Sequence, residues 1–143
     1  MNKWMRISLL SLCLDLGFVQ ANASCNWPTM NCNFQNTRSN SCETTLNKLN
    51  VSNLQVSWSF TVVGGMQIAP IVYNGIVYFG DLGGNFYAKD INTGTDVYPS
   101  INFGSGVACT AAPSISNSKI YITTNDLMLH VLNLDLTPNA AFN

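Results

Sequence analysis

Ala69-Pro70-Ile71-Val72-Tyr73-Asn74-Gly75-Ile76-Val77-Tyr78-Phe79-Gly80 decides how the rest of the chain is read. Two short apolar runs flank Asn74-Gly75. That dipeptide suits a type I′ turn, because both central positions need positive φ. Pro70 to Tyr73 is therefore expected as one strand, and Ile76 to Phe79 as its hairpin partner. The second run is continuously apolar, which fits burial on both faces. Gly80-Asp81-Leu82-Gly83-Gly84 reads as the next turn. Asn85 to Ile91 follows as a strand, closed by Asn92-Thr93-Gly94. Upstream, Leu54, Val56, Trp58 and Phe60 alternate with Gln55, Ser57 and Ser59. That pattern predicts a half-buried strand opening the unit.

The unit recurs. A shift of 43 residues aligns two segments without a gap. Phe60 falls on Phe103, Ala69-Pro70 on Ala112-Pro113, Asn74 on Asn117 and Tyr78 on Tyr121. Apolar positions also coincide: Val72 with Ile115, Val77 with Ile120, Phe79 with Ile122, Phe86 with Leu129, Ala88 with Val131. A period of about 40–50 residues with several strands per unit indicates propeller blades rather than a helical solenoid. The expected fold is all-β: two consecutive four-stranded β-propeller blades, at 54–100 and 101–143, from a larger propeller. Blades bury their faces on neighbouring blades, so two alone leave apolar faces bare and self-association is expected.

The segment before the blades divides in two. Lys3 and Arg6, the apolar Ile7 to Val19 and Ala21-Asn22-Ala23 have the layout of a signal peptide over residues 1–23. Asp15 departs from it. A membrane anchor would need a longer run without that charge, and a lipoprotein signal at Cys25 would need an aliphatic residue where Asn22 stands. Export to the periplasm or medium is expected, without a membrane span. Residues 24–53 form an Asn- and Cys-rich strap. After removal of 1–23, Arg38, Lys48, Lys89 and Lys119 face six carboxylates, a net charge of −2. So weak a field steers no nucleic acid. Cys25, Cys32, Cys42 and Cys109 are even in number in an oxidising compartment, which suggests disulfides. A local bridge among the first three is the simplest pairing. Cys109, inside the repeat, reads as a buried thiol. Zinc would need closer Cys/His pairs than these and His130 supply.

The quoted unit, with Gly84-Asn85-Phe86-Tyr87-Ala88-Lys89-Asp90 and Thr93-Gly94, resembles the blades of PQQ-dependent alcohol dehydrogenases. The second unit departs from the pattern at Leu132-Asn133-Leu134-Asp135. Trp27, Asn36-Thr37-Arg38-Ser39-Asn40, Glu43, Asn50 to Leu54 and Trp58 are similar to the polyvinyl alcohol dehydrogenase-like branch. The resemblance implies an eight-bladed enzyme that holds PQQ and calcium near its axis and oxidises small or polymeric alcohols. It also implies that the calcium ligands and catalytic base come from later blades. The chain alone is then expected to bind neither cofactor, to carry no catalytic residue or metal ligand, and to be inactive. The alternative is a non-catalytic propeller scaffold of the cell envelope. A third reading is a truncated gene product, since the second unit is unfinished at Asn143.

Gln67 and Thr110 stand three residues before Pro70 and Pro113. The resemblance places such residues at the axis and makes them candidate PQQ contacts; otherwise they are polar residues beside a hairpin. Arg38 and Glu43 are a candidate ion pair pinning the strap. Asp81 and Asp90 read as turn and strand-end carboxylates, and His130 as a strand surface residue. Asn50-Val51-Ser52 matches a glycosylation acceptor.

Overall fold

The computed structural model describes residues 25–104, 106–107 and 112–139. The signal segment, Cys109, Thr110 and residues 140–143 lie outside them. Among the described residues seven strands make two antiparallel meanders. The first holds β1 (Ile71–Tyr73), β2 (Ile76–Gly80), β3 (Asn85–Asp90) and β4 (Asp96–Asn102), in that order across the sheet. The second holds β5 (Ser114–Ser116), β6 (Lys119–Thr123) and β7 (Leu129–Asn133).

The hairpin expected at Asn74-Gly75 forms. Tyr73 pairs with Ile76, and the turn residues have φ of 51° and 77°. At the same place in the second sheet Ser116 pairs with Lys119 around Asn117 and Ser118, with φ of 49° and 56°. β1, β2 and β3 fall where the sequence predicts them. Tyr78 and Tyr121 occupy equivalent places in β2 and β6, opposite Ile71 and Ser114.

One strand is corrected. Leu54–Phe60 belongs to neither sheet and is largely exposed. The strand completing the first sheet is Asp96–Asn102, which pairs with β3. The repeat explains the misplacement. Residues 54–60 match 97–103 at the offset of 43, so they are equivalent to the outer strand and not to an opening one. Their alternation is that of a β4, without a third strand beside it.

Alternation divides each sheet into two faces. On the first, Ile71, Tyr78, Phe86 and Ala88 point towards the second sheet. Ile115, Ile120, Ile122 and Leu132 of the second meet them in one buried cluster, with Val107 between. We call these the trailing face of the first sheet and the leading face of the second. Each fully buried large side chain here contributes about 1.5–3 kcal/mol. The sheets approach closely at Gly80, where an added Cβ would lie 2.5 Å from a Val107 methyl. The Tyr78 hydroxyl donates to the Leu134 carbonyl at 2.9 Å and ties the seam at its outer end.

The strap crosses both sheets at their first strands. Trp27 and Val72 exchange backbone hydrogen bonds of 2.7 and 2.9 Å, and the Ile115 N–H donates to Pro28 at 2.9 Å. Asn26 accepts from the Asn74 N–H. A disulfide joins Cys25 to Cys42 and leaves Cys32 free, its thiol donating to the Ser39 carbonyl. The Arg38–Glu43 ion pair does not form. The Glu43 carboxylate instead accepts from the Thr45 and Leu46 N–H groups, which hold its pKa below the ordinary value. Among the described residues no helix is long and apolar enough to cross a membrane.

Candidate functional site

The leading face of the first sheet has no sheet packed on it among the described residues. It holds an apolar groove of 340 Å³ lined by Trp58, Phe60, Met66, Pro70, Val77 and Phe79. Phe60 lies edge-on to Phe79 and Tyr87, with ring centres 6.0 and 5.0 Å away. Trp58 lies over Gly94, where a Cβ would approach its ring to 2.7 Å, and its indole N–H donates to the Ile91 carbonyl. Lys89 is buried beneath this aromatic cover. Its ammonium is 2.8 Å from Asp96 and 3.8 Å from the Phe60 ring centre. The exposed carboxylate and the ring face together take the place of lost water.

Asp81 is the polar centre of this face, with 1% of its surface exposed. Its carboxylate accepts from the Val63 and Asn85 N–H groups, the Asn85 amide and the Tyr87 hydroxyl at 2.8 Å. Burial pushes its pKa up, but the donors led by Tyr87 and Asn85 outweigh it and hold the value below the ordinary one. Burial, followed by the Asp81 contact, pushes Tyr87 up to about 12. An ionised carboxylate held by four donors is a fastener for the loop carrying Val63. As an acid or base it would first have to give up those donors.

The second sheet repeats the arrangement with other chemistry. Thr124, 2% exposed, stands at the place of Asp81, and His130 at that of Tyr87. The Thr124 hydroxyl lies 3.0 Å from His130 Nε2 and donates to Asp126. His130 packs on Phe103, ring centres 4.3 Å apart, as Tyr87 packs on Phe60. His130 is thus half-buried in a built contact, a correction to its reading as a surface residue. Threonine, histidine and aspartate meet here, but the hydroxyl sits in the middle. A nucleophile relay needs the imidazole between hydroxyl and carboxylate, so the cluster is structural.

Of the two predicted cofactor contacts, Gln67 lies exposed in the loop before β1 and Thr110 lies outside the described residues. Among the described residues no group of three His, Cys, Asp or Glu could hold a metal ion. Lys89 is engaged by Asp96, and Lys119 donates to the Asn133 side-chain oxygen. Sequence reasoning placed Asp81 in a turn without its burial, and missed the buried Lys89 and the Thr124–His130 contact. The available signal was the repeat itself: Phe60 and Phe103 at one offset implied that the residues beneath them were covered.

No protein-family model matches the chain. It is 29% identical over 107 residues to "Lupanine 17-hydroxylase [cytochrome c]" of a Pseudomonas species, across 68% of this chain. It is 29% identical over 100 residues to a quinohemoprotein alcohol dehydrogenase of Comamonas testosteroni. The chain spans 15% and 14% of the length of these relatives. The crystal structure of quinohemoprotein alcohol dehydrogenase from Comamonas testosteroni superposes with a TM-score of 0.67 at 23% identity, over 82% of this chain and 19% of that one. A europium-containing methanol dehydrogenase superposes with a TM-score of 0.63 at 25% identity, over 78% of this chain and 21% of that one. Two consecutive β-propeller blades are therefore the fold, and the sequence is similar to those of oxidoreductases.

Proposed function

We propose that the chain is part of a PQQ-dependent alcohol dehydrogenase of the periplasm, in which these two blades supply wall rather than chemistry. One observation carries the reading: the sequence likeness to two oxidoreductases extends over 100 residues or more, long enough to include both stacked sheets. The signal-like residues 1–23 support export. The strap residues from Trp27 to Leu54 support the polyvinyl alcohol branch, with small or polymeric alcohols as substrates. In the whole enzyme PQQ would take the hydride, with calcium beside it. The groups that clamp the quinone, bind the metal and take the proton would come from other blades. Gln67 and Thr110 remain the positions proposed to reach the quinone.

The test is a dye-linked alcohol oxidation assay on this chain with saturating PQQ and calcium. No turnover is expected, because loss of the positioned base alone removes about 10²–10⁴ in rate. PQQ-dependent turnover that disappears in Gln67→Ala and Thr110→Val would overturn the reading.

A further inference from the structure

The strap builds a groove against the second sheet that shares no residue with the aromatic face of the first. Met30, Asn31, Phe34 and Asn36 line one side, and Ala112 and Ser114 at the start of β5 line the other, around 390 Å³. The loop on the strap side is held from within. The Trp27 indole N–H donates to the Met30 carbonyl at 3.1 Å, and the Arg38 N–H to the Asn31 carbonyl at 3.2 Å. Asn33 uses both side-chain atoms on Thr37, donating to its hydroxyl at 2.8 Å and accepting from its N–H at 3.1 Å. The Ile115 N–H bond to Pro28 ties the base of the loop to β5. A loop fixed in this way loses little freedom when a ligand settles on it.

The lining defines what the groove can hold. No charged side chain among the described residues lines it, so an anion or a cation would find no counter-charge. Asn31 Nδ2 donates to Asn36 Oδ1 at 3.2 Å. That bond leaves Asn31 Oδ1 as an acceptor and Asn36 Nδ2 as a donor on two linked amides. A hydroxyl complements such a pair, because it donates through its hydrogen and accepts on its oxygen. Phe34 is 69% exposed and Met30 53%. They offer apolar surface for the C–H face of an alcohol chain. A further blade is a poor cover for this groove. The seam between the sheets is apolar, and burying the open amides under such a face would leave polar groups unpaired.

We propose that this groove binds an uncharged polyhydroxylated chain, with hydroxyls on the Asn31–Asn36 amides and a C–H face on Phe34. A polymeric secondary alcohol and a neutral glycan share that chemistry. The volume exceeds that of one small alcohol and takes several repeat units. Ala112 and Pro113 are the repeat equivalents of Ala69 and Pro70, which follow Gln67. In the proposed enzyme the groove therefore stands at the blade end assigned to the quinone, where it would hold a polymeric substrate. That purpose rests on the dehydrogenase reading, whereas the binding rests on the groove alone. A single open site without charges gives a dissociation constant of about 1 mM.

The experiment titrates the isotope-labelled full chain, without PQQ or calcium, and follows the side-chain amide signals of Asn31 and Asn36 by NMR. The probes are a polyvinyl alcohol oligomer, a neutral dextran oligomer and a polyethylene glycol capped at both ends, which accepts hydrogen bonds but donates none. Saturable shifts with a hydroxylated oligomer and none with the capped glycol are expected, and the oligomer that binds identifies the source. Phe34→Ala removes the exposed ring. Asn31→Ala removes the acceptor while the Asn33–Thr37 bonds still hold the loop. Each should weaken binding about 2–10-fold, with the backbone spectrum unchanged away from the strap. Three results would each overturn the proposal: equal binding of the capped glycol, no saturation by either hydroxylated oligomer up to about 100-fold above the expected constant, or undiminished binding in both variants. No cofactor is present, so failure here leaves the dehydrogenase reading to its own turnover assay, and failure of that reading leaves this site standing.

Discussion

Asp81 and Tyr87 in the first sheet, and Thr124 and His130 in the second, occupy matching places under matching aromatic rings. In the first pair the Asp81 carboxylate accepts from four donors, the Tyr87 hydroxyl among them. The second keeps one contact to a neutral hydroxyl and adds a local bond to Asp126. The neighbouring position differs in the same sense. Lys89 needs Asp96 and Phe60 to be buried, whereas the matching Leu132 simply enters the seam. At this position the leading face covered by a sheet carries an apolar side chain, and the leading face covered by its own loop carries a paired charge.

The largest difference between the sheets should appear at the two tyrosines. Tyr78 is fully buried in the seam and Tyr121 is half-buried. Tyr78→Ala should cost about 3–5 kcal/mol, through the cavity and the freed Leu134 carbonyl. Tyr121→Ala should cost less than about 1 kcal/mol in dilute solution. Urea unfolding of both variants checks this. Equal losses would mean that the seam is not where the stability lies.

The next contrast is electrostatic. Asp81→Asn should cost about 2–3 kcal/mol near neutral pH, because a charge-assisted set of bonds is weakened in a buried place. Thr124→Val should cost about 1 kcal/mol. The pH dependence separates them further. The folded pKa of Asp81 is lowered, so its contribution is complete above the unfolded value of about 3.9. It is lost as pH falls through the lower, folded value. The gap between parent and Asp81→Asn should close under acid, while that between parent and Thr124→Val should not. Parallel stability curves for parent and Asp81→Asn down to acid pH would refute the ionised fastener.

The sequence showed the hairpins, the offset and the propeller-blade fold, because turn chemistry and alternation are local. It did not show where a blade begins. The alternation of Leu54–Phe60 is the same in an outer strand as in an opening one, and only pairing distinguishes them. The polar centres were hidden for another reason. Asp81 sits in a Gly-rich turn, where an aspartate is ordinarily exposed. Its burial depends on Phe60, Tyr87 and the Val63 loop arriving from separate parts of the chain. Cys25–Cys42 was within reach as one of the local pairings, but choosing it required the path of the strap.

The smallest contrast lies in the turns. Gly75 and Gly84 have positive φ, and the matching Ser118 and Leu127 are held at 56° and 67°. A side chain in the left-handed region costs about 1–2 kcal/mol, and glycine adds roughly 0.5–1 kcal/mol of unfolded-chain freedom. Leu127 is 94% exposed, so its removal gives up almost no burial. The Leu127 N–H donates to the Thr124 carbonyl, a bond that glycine retains. Ser118→Gly and Leu127→Gly should therefore each stabilise the chain by about 0.5–1 kcal/mol. The reverse changes, Gly75→Ser and Gly84→Leu, should destabilise it by a similar amount. Thermal unfolding of the four variants decides the matter. If the glycine variants melt below the parent, the second sheet's turns are not strained, and its departures from the first cannot be read as lost turn chemistry.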